Sequence, residues 1–363
     1  MLWMRAISAP TQYYHFNNID TTMKEFQPTV KAFFQKNTMI YGATETGKTV
    51  IIHDILYTLL DVIPSIIVIS TTKHLNMAFE GIVPDYLYLD SFDEAKIDEI
   101  FSKQEERVKL YKITKDLDKL FSLFKRVADS SIRTIDSQIK ALFESTTESI
   151  NNSELTISEK KKERKKLIAL KNSRLEELYK KCIRKHRSLL LNLKLSHDDK
   201  MMIKYLDINP NLVIVFDDVT AEFTKPFQHS NAMKKLYTMG RWMMVTSIVA
   251  IHDDTNIETS VRKGVHNNIY TTPNCATSFF TNKANSFTPQ ERKKYMQIIS
   301  RIFNGTEDTI SKYTKLIYIR NPTEDNEIVQ SYLATEHEDF RFGCSALWEI
   351  DKKIKRNKLT FIN

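Results

Sequence analysis

One eight-residue run constrains this chain more than any other: Gly42-Ala43-Thr44-Glu45-Thr46-Gly47-Lys48-Thr49 fits GxxxxGK[ST] at every fixed position. Glycine is scarce, with seven in 363 residues, and two of them fall inside this run. A chain so sparing with glycine uses the pair for backbone geometry. The flanks match what such a loop needs. Thr38-Met39-Ile40-Tyr41 is a short apolar segment that reads as a buried strand, and Val50 to Leu60 reads as a helix with Ile51, Ile55, Leu56 and Leu59 on one face. Strand, glycine-bearing loop and helix together form a cradle whose backbone N–H groups and helix N-terminus point at phosphate oxygens. In it Lys48 would neutralise the β- and γ-phosphates and the Thr49 hydroxyl would ligate Mg²⁺.

A second carboxylate signal lies downstream. The apolar run Leu212-Val213-Ile214-Val215-Phe216 passes directly into Asp217-Asp218. Apolar residues ending in two acids have the Walker B form, in which Asp217 at the strand end would hold Mg²⁺ and Asp218 would orient or deprotonate the attacking water. Glu222 is an alternative base because aspartate reaches one carbon less far than glutamate. Glu45, inside the loop, is expected to point to solvent.

The remaining pattern organises around these two motifs. Ile66-Ile67-Val68-Ile69 reads as a buried parallel strand, followed after a long interval by Leu212–Phe216, a helix around 230–239 and a strand over 243–251. Strands at Lys315–Arg320 and Ile328–Ala334 are expected to be joined by a turn over 321–326. Strands alternating with helices predict a mostly parallel α/β sheet. Between about 92 and 206 the chain has neither glycine nor proline, and apolar residues recur at three-four spacing (Ile113, Leu117, Leu120, Phe124, Val127; then Ile132, Ile135, Ile139, Leu142). This predicts two or three long helices with a turn near Ser145–Leu155. The later arm carries thirteen basic residues between Lys160 and Arg187 against Glu163, Glu176 and Glu177. Ile168, Leu175, Cys182 and Leu189 recur every seven residues, but Lys171 and Lys185 occupy the matching second seam, so a hairpin packed within the chain is expected over a long coiled coil. Charge spread around a helix with little aromatic interleaving suits phosphate contact over base readout, and equally suits a solvated face. The expected segments are 1–30, an N-terminal stretch; 31–91 and 207–345, the two parts of one core; 92–206, a helical insertion; and 346–363, a basic tail.

Composition excludes several classes. With 42% hydrophobic and 27% charged residues the chain can bury a core. Cys182, Cys275 and Cys344 are far apart and form no CxxC pair, which argues against a disulfide framework or a thiolate zinc site. His53, Asp54 and Asp61 interrupt the most apolar stretch, so no membrane span is expected, and the N-terminus lacks the apolar core of a signal peptide. The net charge of +8 hints at a polyanionic partner. Trp3, Trp242 and Trp348 are expected in core or interface positions. His252, Asp253 and Asp254 cannot all chelate one ion from adjacent strand positions.

The chain resembles the DNA-packaging ATPases of large nucleocytoplasmic DNA viruses, the poxvirus-type branch of the FtsK–HerA superfamily. The phosphate loop and Phe216-Asp217-Asp218 carry the likeness. It extends to Ser70-Thr71-Thr72-Lys73 with Asn76 and Pro84, to Gly240-Arg241-Trp242 before a strand, and to Ile257-Glu258-Thr259-Ser260-Val261-Arg262. It covers residues 35–90 and 205–345. The resemblance implies a P-loop NTPase core of the additional-strand, RecA-like type with ATP and Mg²⁺ as cofactors. It further implies a homo-oligomeric ring that drives double-stranded DNA into a capsid, with a capsid or portal component as partner. Arg262 would be an arginine finger reaching a neighbour's γ-phosphate, with Arg241 as a weaker candidate. The expected location is host cytoplasm, viral factory or virion. The family's glutamine near the end of the strand over 243–251 has His252 as its nearest counterpart here, and its asparagine two positions after the arginine is Gly264.

Three other functions fit parts of the sequence. One is a different P-loop translocase or helicase. Another is a terminase-type enzyme with its own nuclease, disfavoured because the segment after Asn268 lacks clustered acids. The third is a nucleotide-switched structural protein with little or no turnover, which the aspartate at 218 and the missing glutamine keep open.

Overall fold

The computed structural model describes residues 25–253, 257–304, 313–320 and 329–360. Trp3, Asp254, the 321–326 turn and most of the 1–30 segment therefore lie outside the described residues. The chain divides into two compact units: Met1–Ser102 with Asn211–Asn363, and Lys103–Pro210.

The first unit is built on an eight-stranded sheet of β1 (Asn37–Tyr41), β2 (Ser65–Ser70), β3 (Tyr88–Leu89), β4 (Leu212–Asp217), β5 (Val245–Ile251), β6 (Asn267–Tyr270), β7 (Thr314–Ile319) and β8 (Val329–Leu333). The spatial order is β3-β2-β4-β5-β1-β6-β7-β8. Every pairing from β3 to β6 is parallel, and β7 is antiparallel to both β6 and β8. A full strand, β5, thus separates β1, which feeds the phosphate loop, from β4, which ends in the acid pair.

Alternation of side chains explains why this sheet is covered on both faces. In β4, Leu212, Ile214 and Phe216 enter one core while Val213 and Val215 enter the other; in β1, Met39 and Tyr41 part from Ile40 in the same way. The first face packs against the helices Asn231–Met239, Pro273–Thr281 and Pro289–Asn304 through Met233, Leu236, Phe279, Phe280, Tyr295 and Ile299. The second packs against the helix Lys48–Leu59 through Ile51, Ile52, Ile55, Leu56 and Leu59. That helix is rich in β-branched residues, which are mediocre helix formers. It is held by burial, each such side chain contributing about 1.5–3 kcal/mol. A polar clamp adds to this: the Tyr332 hydroxyl of β8 donates to Asp54 Oδ2 at 2.6 Å, and His337 Nε2 lies 2.8 Å from Asp54 Oδ1. Asp54, which interrupts the apolar run in the sequence, thereby ties the loop's helix to the sheet edge.

The second unit is helical. The absence of glycine and proline predicts a few long helices, but the stretch is cut into more pieces by aspartate caps. Asp116 accepts from the N–H groups of Asp118 and Lys119, starting the helix Leu117–Val127, and Asp129 accepts from Ile132, starting Ser130–Asn152. The turn before the basic arm falls at 153–156, where Thr156 and Glu159 form a capping box that opens the helix Ile157–Lys185. Of the seven-residue series only Leu175 and Cys182 are buried, whereas Ile168 is 58% and Leu189 54% exposed. The helix packs by its C-terminal half. Leu175, Tyr179, Cys182 and Ile183 join Leu120, Leu123 and Phe124, and the Tyr179 hydroxyl donates to buried Asp136 at 2.7 Å. Its N-terminal half carries Lys161, Lys162, Arg164 and Lys165, all exposed.

The expected basic tail is instead the helix Ser345–Thr360. Its first turns are held by Trp348, whose Nε1 donates to Phe342 O at 3.1 Å, and by buried Asp351, which accepts from Lys355 at 2.9 Å. Trp242, expected in a core or interface, is 77% exposed. No helix among the described residues is long and apolar enough to cross a membrane.

Candidate nucleotide site

The loop after β1 is shaped by two glycines for different reasons. Gly47 has φ +89°, a left-handed conformation that turns the chain into the helix Lys48–Leu59 and that an L side chain would strain. Gly42 is required by proximity: a Cβ there would lie 1.7 Å from Thr271 Oγ1 and 2.6 Å from Thr46 Oγ1. Thr271, just after β6, braces the loop. Its Oγ1 lies 2.7 Å from Thr46 Oγ1 and 3.1 Å from Tyr41 O, while Thr46 Oγ1 donates to Ala43 O at 2.8 Å. Gly42→Ala is expected to cost about 1–3 kcal/mol of stability through this overlap and to remove nucleotide binding. Thermal melting and an ATP titration check both, and a variant that binds ATP as the parent does would show that the brace can give way.

Lys48 is buried, and its ammonium donates to Gly42 O at 2.8 Å and Ala43 O at 3.0 Å. To meet a phosphate it exchanges these two carbonyls for phosphate oxygens, a local movement of one side chain. Burial lowers its pKa, and the opposing pull of Asp218 and Asp217 marks the acid pair as its electrostatic neighbours. Ala43, Thr44 and Glu45 are exposed along the loop's outer edge, Glu45 with φ +63°, and Thr49 is half-buried in the first turn of the helix.

The acid pair stands at the same edge. Parallel register places Tyr41 of β1 beside Ile251 of β5, and Val249 of β5 beside Phe216 of β4, so the loop, the β5 end and Asp217-Asp218 are brought together. Asp217 is 2% exposed and its pKa is pushed up to about 6, by burial first and by Asp218 next, with Lys48 opposing. Asp218 follows at φ +53°, a left-handed residue that aims its carboxylate away from the strand. Thr71 Oγ1 donates to its carbonyl at 3.1 Å, and His252 Nε2 lies 3.1 Å from its Oδ1. The His252 N–H is in turn fixed on Thr220 Oγ1 at 3.1 Å. His252 thus touches Asp218 from the position where the resemblance puts a glutamine.

These side chains suit Mg²⁺. A buried carboxylate whose proton is retained by a second carboxylate gains most from a hard divalent cation, and Asp217 and the Thr49 hydroxyl are oxygen donors of the right kind. No cluster of three or more His, Cys, Asp or Glu among the described residues forms a metal site, so phosphate oxygens and water would complete the shell.

The fold is of the P-loop type, and the loop and acid pair have the form that type of fold places at this edge. No protein-family model matches the chain. It is 27% identical over 346 residues to the "Uncharacterized protein B354L" of African swine fever virus (isolate Pig/Kenya/KEN-50/1950), covering 91% of each chain, and equally to that of the Tick/Malawi isolate. Among solved structures it is similar to the genome packaging NTPase B204 of Sulfolobus turreted icosahedral virus 2, bound to ATP-gammaS. That match has a TM-score of 0.35 at 11% identity and covers 82% of this chain and 95% of that one. It is also similar to the pCW3 conjugation coupling protein TcpA (TM-score 0.37, 11% identity, 84% and 62% covered).

Arg262, the arginine that the resemblance would make a finger, is buried within its own chain. It is 7% exposed, and its Nε donates to Ile257 O at 2.9 Å. Its helix, Thr259–Gly264, ends at the opposite edge of the sheet, where Gly264 O accepts from Asn37 Nδ2 at 3.0 Å. Arg241, by contrast, is exposed beside Trp242 at that edge. Lys36 and His266 nearby have pKa values lowered by burial and by cations that include Arg241. Sequence reasoning gave Thr271 and Lys315 no part in the site, and Thr71 appeared only within the run that carries the resemblance. Each sits at a strand end beside another polar residue, and the cue was a polar residue abutting an apolar strand.

Proposed function

We propose that this NTPase is an ATP-hydrolysing motor that moves double-stranded DNA into a viral capsid. The observation that carries the reading is the convergence at one sheet edge of the Lys48 loop, the buried Asp217 and the His252-held Asp218. In the proposed cycle the loop amides and Lys48 hold the triphosphate. Mg²⁺, held by Thr49 and Asp217, would neutralise phosphate charge. Asp218, oriented by His252 and by its own backbone, aligns the attacking water for in-line displacement. The basic first half of the helix Ile157–Lys185 supplies cations suited to a phosphate backbone. The viral origin of the relatives suits a role in handling a viral genome. A ring of identical subunits, a capsid or portal partner, and a site of action in host cytoplasm, viral factory or virion belong to the same proposal. Of the two arginines singled out by sequence, Arg241 is the one exposed for an intersubunit role.

The test is steady-state ATP hydrolysis with and without double-stranded DNA. The parent is expected to turn over faster with DNA, and Lys48→Ala to abolish turnover under both conditions. Changing Lys161, Lys162, Arg164 and Lys165 together to glutamine is expected to lower the salt dependence of DNA binding by about 3–4 in log–log slope, with DNA-free hydrolysis unchanged. A parent that binds ATP yet shows no turnover with DNA would sink the motor reading and favour a nucleotide-switched structural role.

A further inference from the structure

Lys315 is the second residue of β7 and is 8% exposed. A lysine buried that deeply normally carries a carboxylate partner, yet among the described residues nothing acidic is paired with this one. Burial lowers its pKa, with no carboxylate among the described residues raising it. Its direction is informative. A Cβ built on Gly47 of the phosphate loop would lie 3.7 Å from Lys315 Cε and 3.9 Å from its Nζ, so the ammonium rests against the residue that precedes Lys48.

The sheet order says which side it approaches from. β7 runs antiparallel to β6, with Leu316 opposite Tyr270, so the start of β7 falls at the same edge as the end of β1 and its loop. Asp217 and Asp218 reach the loop from β4, two strands from β1 on one side. Lys315 reaches it from β7, two strands away on the other. Among the described residues, the loop is therefore flanked by two carboxylates on one side and, on the other, by a cation with no acidic partner. A desolvated ammonium without a counterion is costly unless an anion arrives.

We propose that Lys315 is a second polyphosphate-binding lysine of the nucleotide site, contacting the bound phosphate chain from the side away from Asp217 and Asp218. The inference rests on the reading of the loop as a nucleotide site and adds to it. A nucleoside triphosphate carries about four negative charges, of which Mg²⁺ cancels two. Lys48 and Lys315 would neutralise the remainder from opposite flanks. The ligand class is any Mg²⁺-bound polyphosphate, whatever its base. Lys315 is a binding residue, with no part in orienting water.

The experiment measures binding of ATP, inorganic tripolyphosphate and adenosine, each with Mg²⁺, to the full chain by calorimetry, beside thermal melting without ligand. Lys315→Met keeps the apolar stem and removes the charge; Lys315→Arg keeps the charge. Lys315→Met is expected to weaken ATP and tripolyphosphate by about 10–100-fold, the loss typical of one charge-assisted contact. Adenosine binding is expected to stay as in the parent, and the melting temperature unchanged or raised because an unpaired buried charge is gone. Lys315→Arg should recover most of the affinity. Should Lys315→Met melt lower than the parent, Lys315→Gln replaces it in the same comparison. The inference is overturned if the folded Lys315 variants bind ATP and tripolyphosphate as the parent does while Lys48→Ala does not, a result that leaves the nucleotide site itself standing. If the parent binds neither compound, the nucleotide reading fails and the role of Lys315 fails with it.

Discussion

Asp217→Asn is expected to raise the melting temperature of the ligand-free protein and at the same time to remove ATP hydrolysis. The stability gain follows from the pKa. Asp217 titrates at about 6 in the folded chain against 3.8 as its ordinary value, because burial and the neighbouring Asp218 disfavour its charge. A carboxyl whose folded pKa is raised binds its proton more tightly folded than unfolded. Its contribution is therefore neutral below the unfolded pKa and becomes destabilising as pH rises from about 4 through 6. Above that window the cost is about 3 kcal/mol. Asparagine carries no charge and is expected to recover about 1–3 kcal/mol of it, several degrees for a unit of this size. The loss of activity follows because the amide cannot hold a divalent cation as the carboxylate does. Melting at pH 4.5 and pH 8 checks the sign. The parent should lose stability between the two values relative to the variant, and equal slopes would show that Asp217 is already charged without cost.

Asp218→Asn is expected to lower turnover by about 10²–10⁴-fold, the range for removing a general base, while ATP affinity stays within a few-fold of the parent. The separation follows from position. Asp218 lies beyond the strand end with a left-handed backbone and its carboxylate on His252, whereas phosphate binding would fall to the loop and Lys48. Asparagine keeps the size, tolerates the left-handed backbone and retains a hydrogen bond to His252, so folding is preserved. His252→Gln, which restores the residue type the family resemblance expects near this position, should keep turnover within about tenfold, because an amide can still hold the carboxylate. A competing base is available in Glu222, whose Oε2 is buried. If Asp218→Asn turns over near the parental rate and Glu222→Gln does not, the catalytic role passes to Glu222.

Much of the site was legible in the sequence because its parts are local. A phosphate loop needs its glycines, lysine and threonine at fixed spacing along one turn of chain, so Gly42–Thr49 announces itself. The acid pair does the same at the end of an apolar strand. Alternating strands and helices also disclosed the sheet, since each strand's own burial pattern is written in its residues. The helical unit was less legible. Asp116 and Asp129 cut a run that periodicity alone would join, and the heptad series exposes Ile168 and Leu189 because only one half of its helix has a surface to pack on. The family resemblance pointed to Arg262, but burial withdraws that side chain into its own fold.

The sequence by itself determined a strand-loop-helix of phosphate-loop form, a strand that delivers two carboxylates, and a basic helical insertion between them. Only the tertiary structure decided what surrounds the loop. Thr271 is 225 residues from Thr46, and Lys315 is separated from Gly47 by most of the chain. They meet the loop because β6 and β7 are added beside β1 by pairing, and pairing between distant strands is set by the packing of both sheet faces, which no local pattern records. His252 joins Asp218 for the same reason: β5 inserts between β1 and β4, and parallel register brings its end to the acid pair.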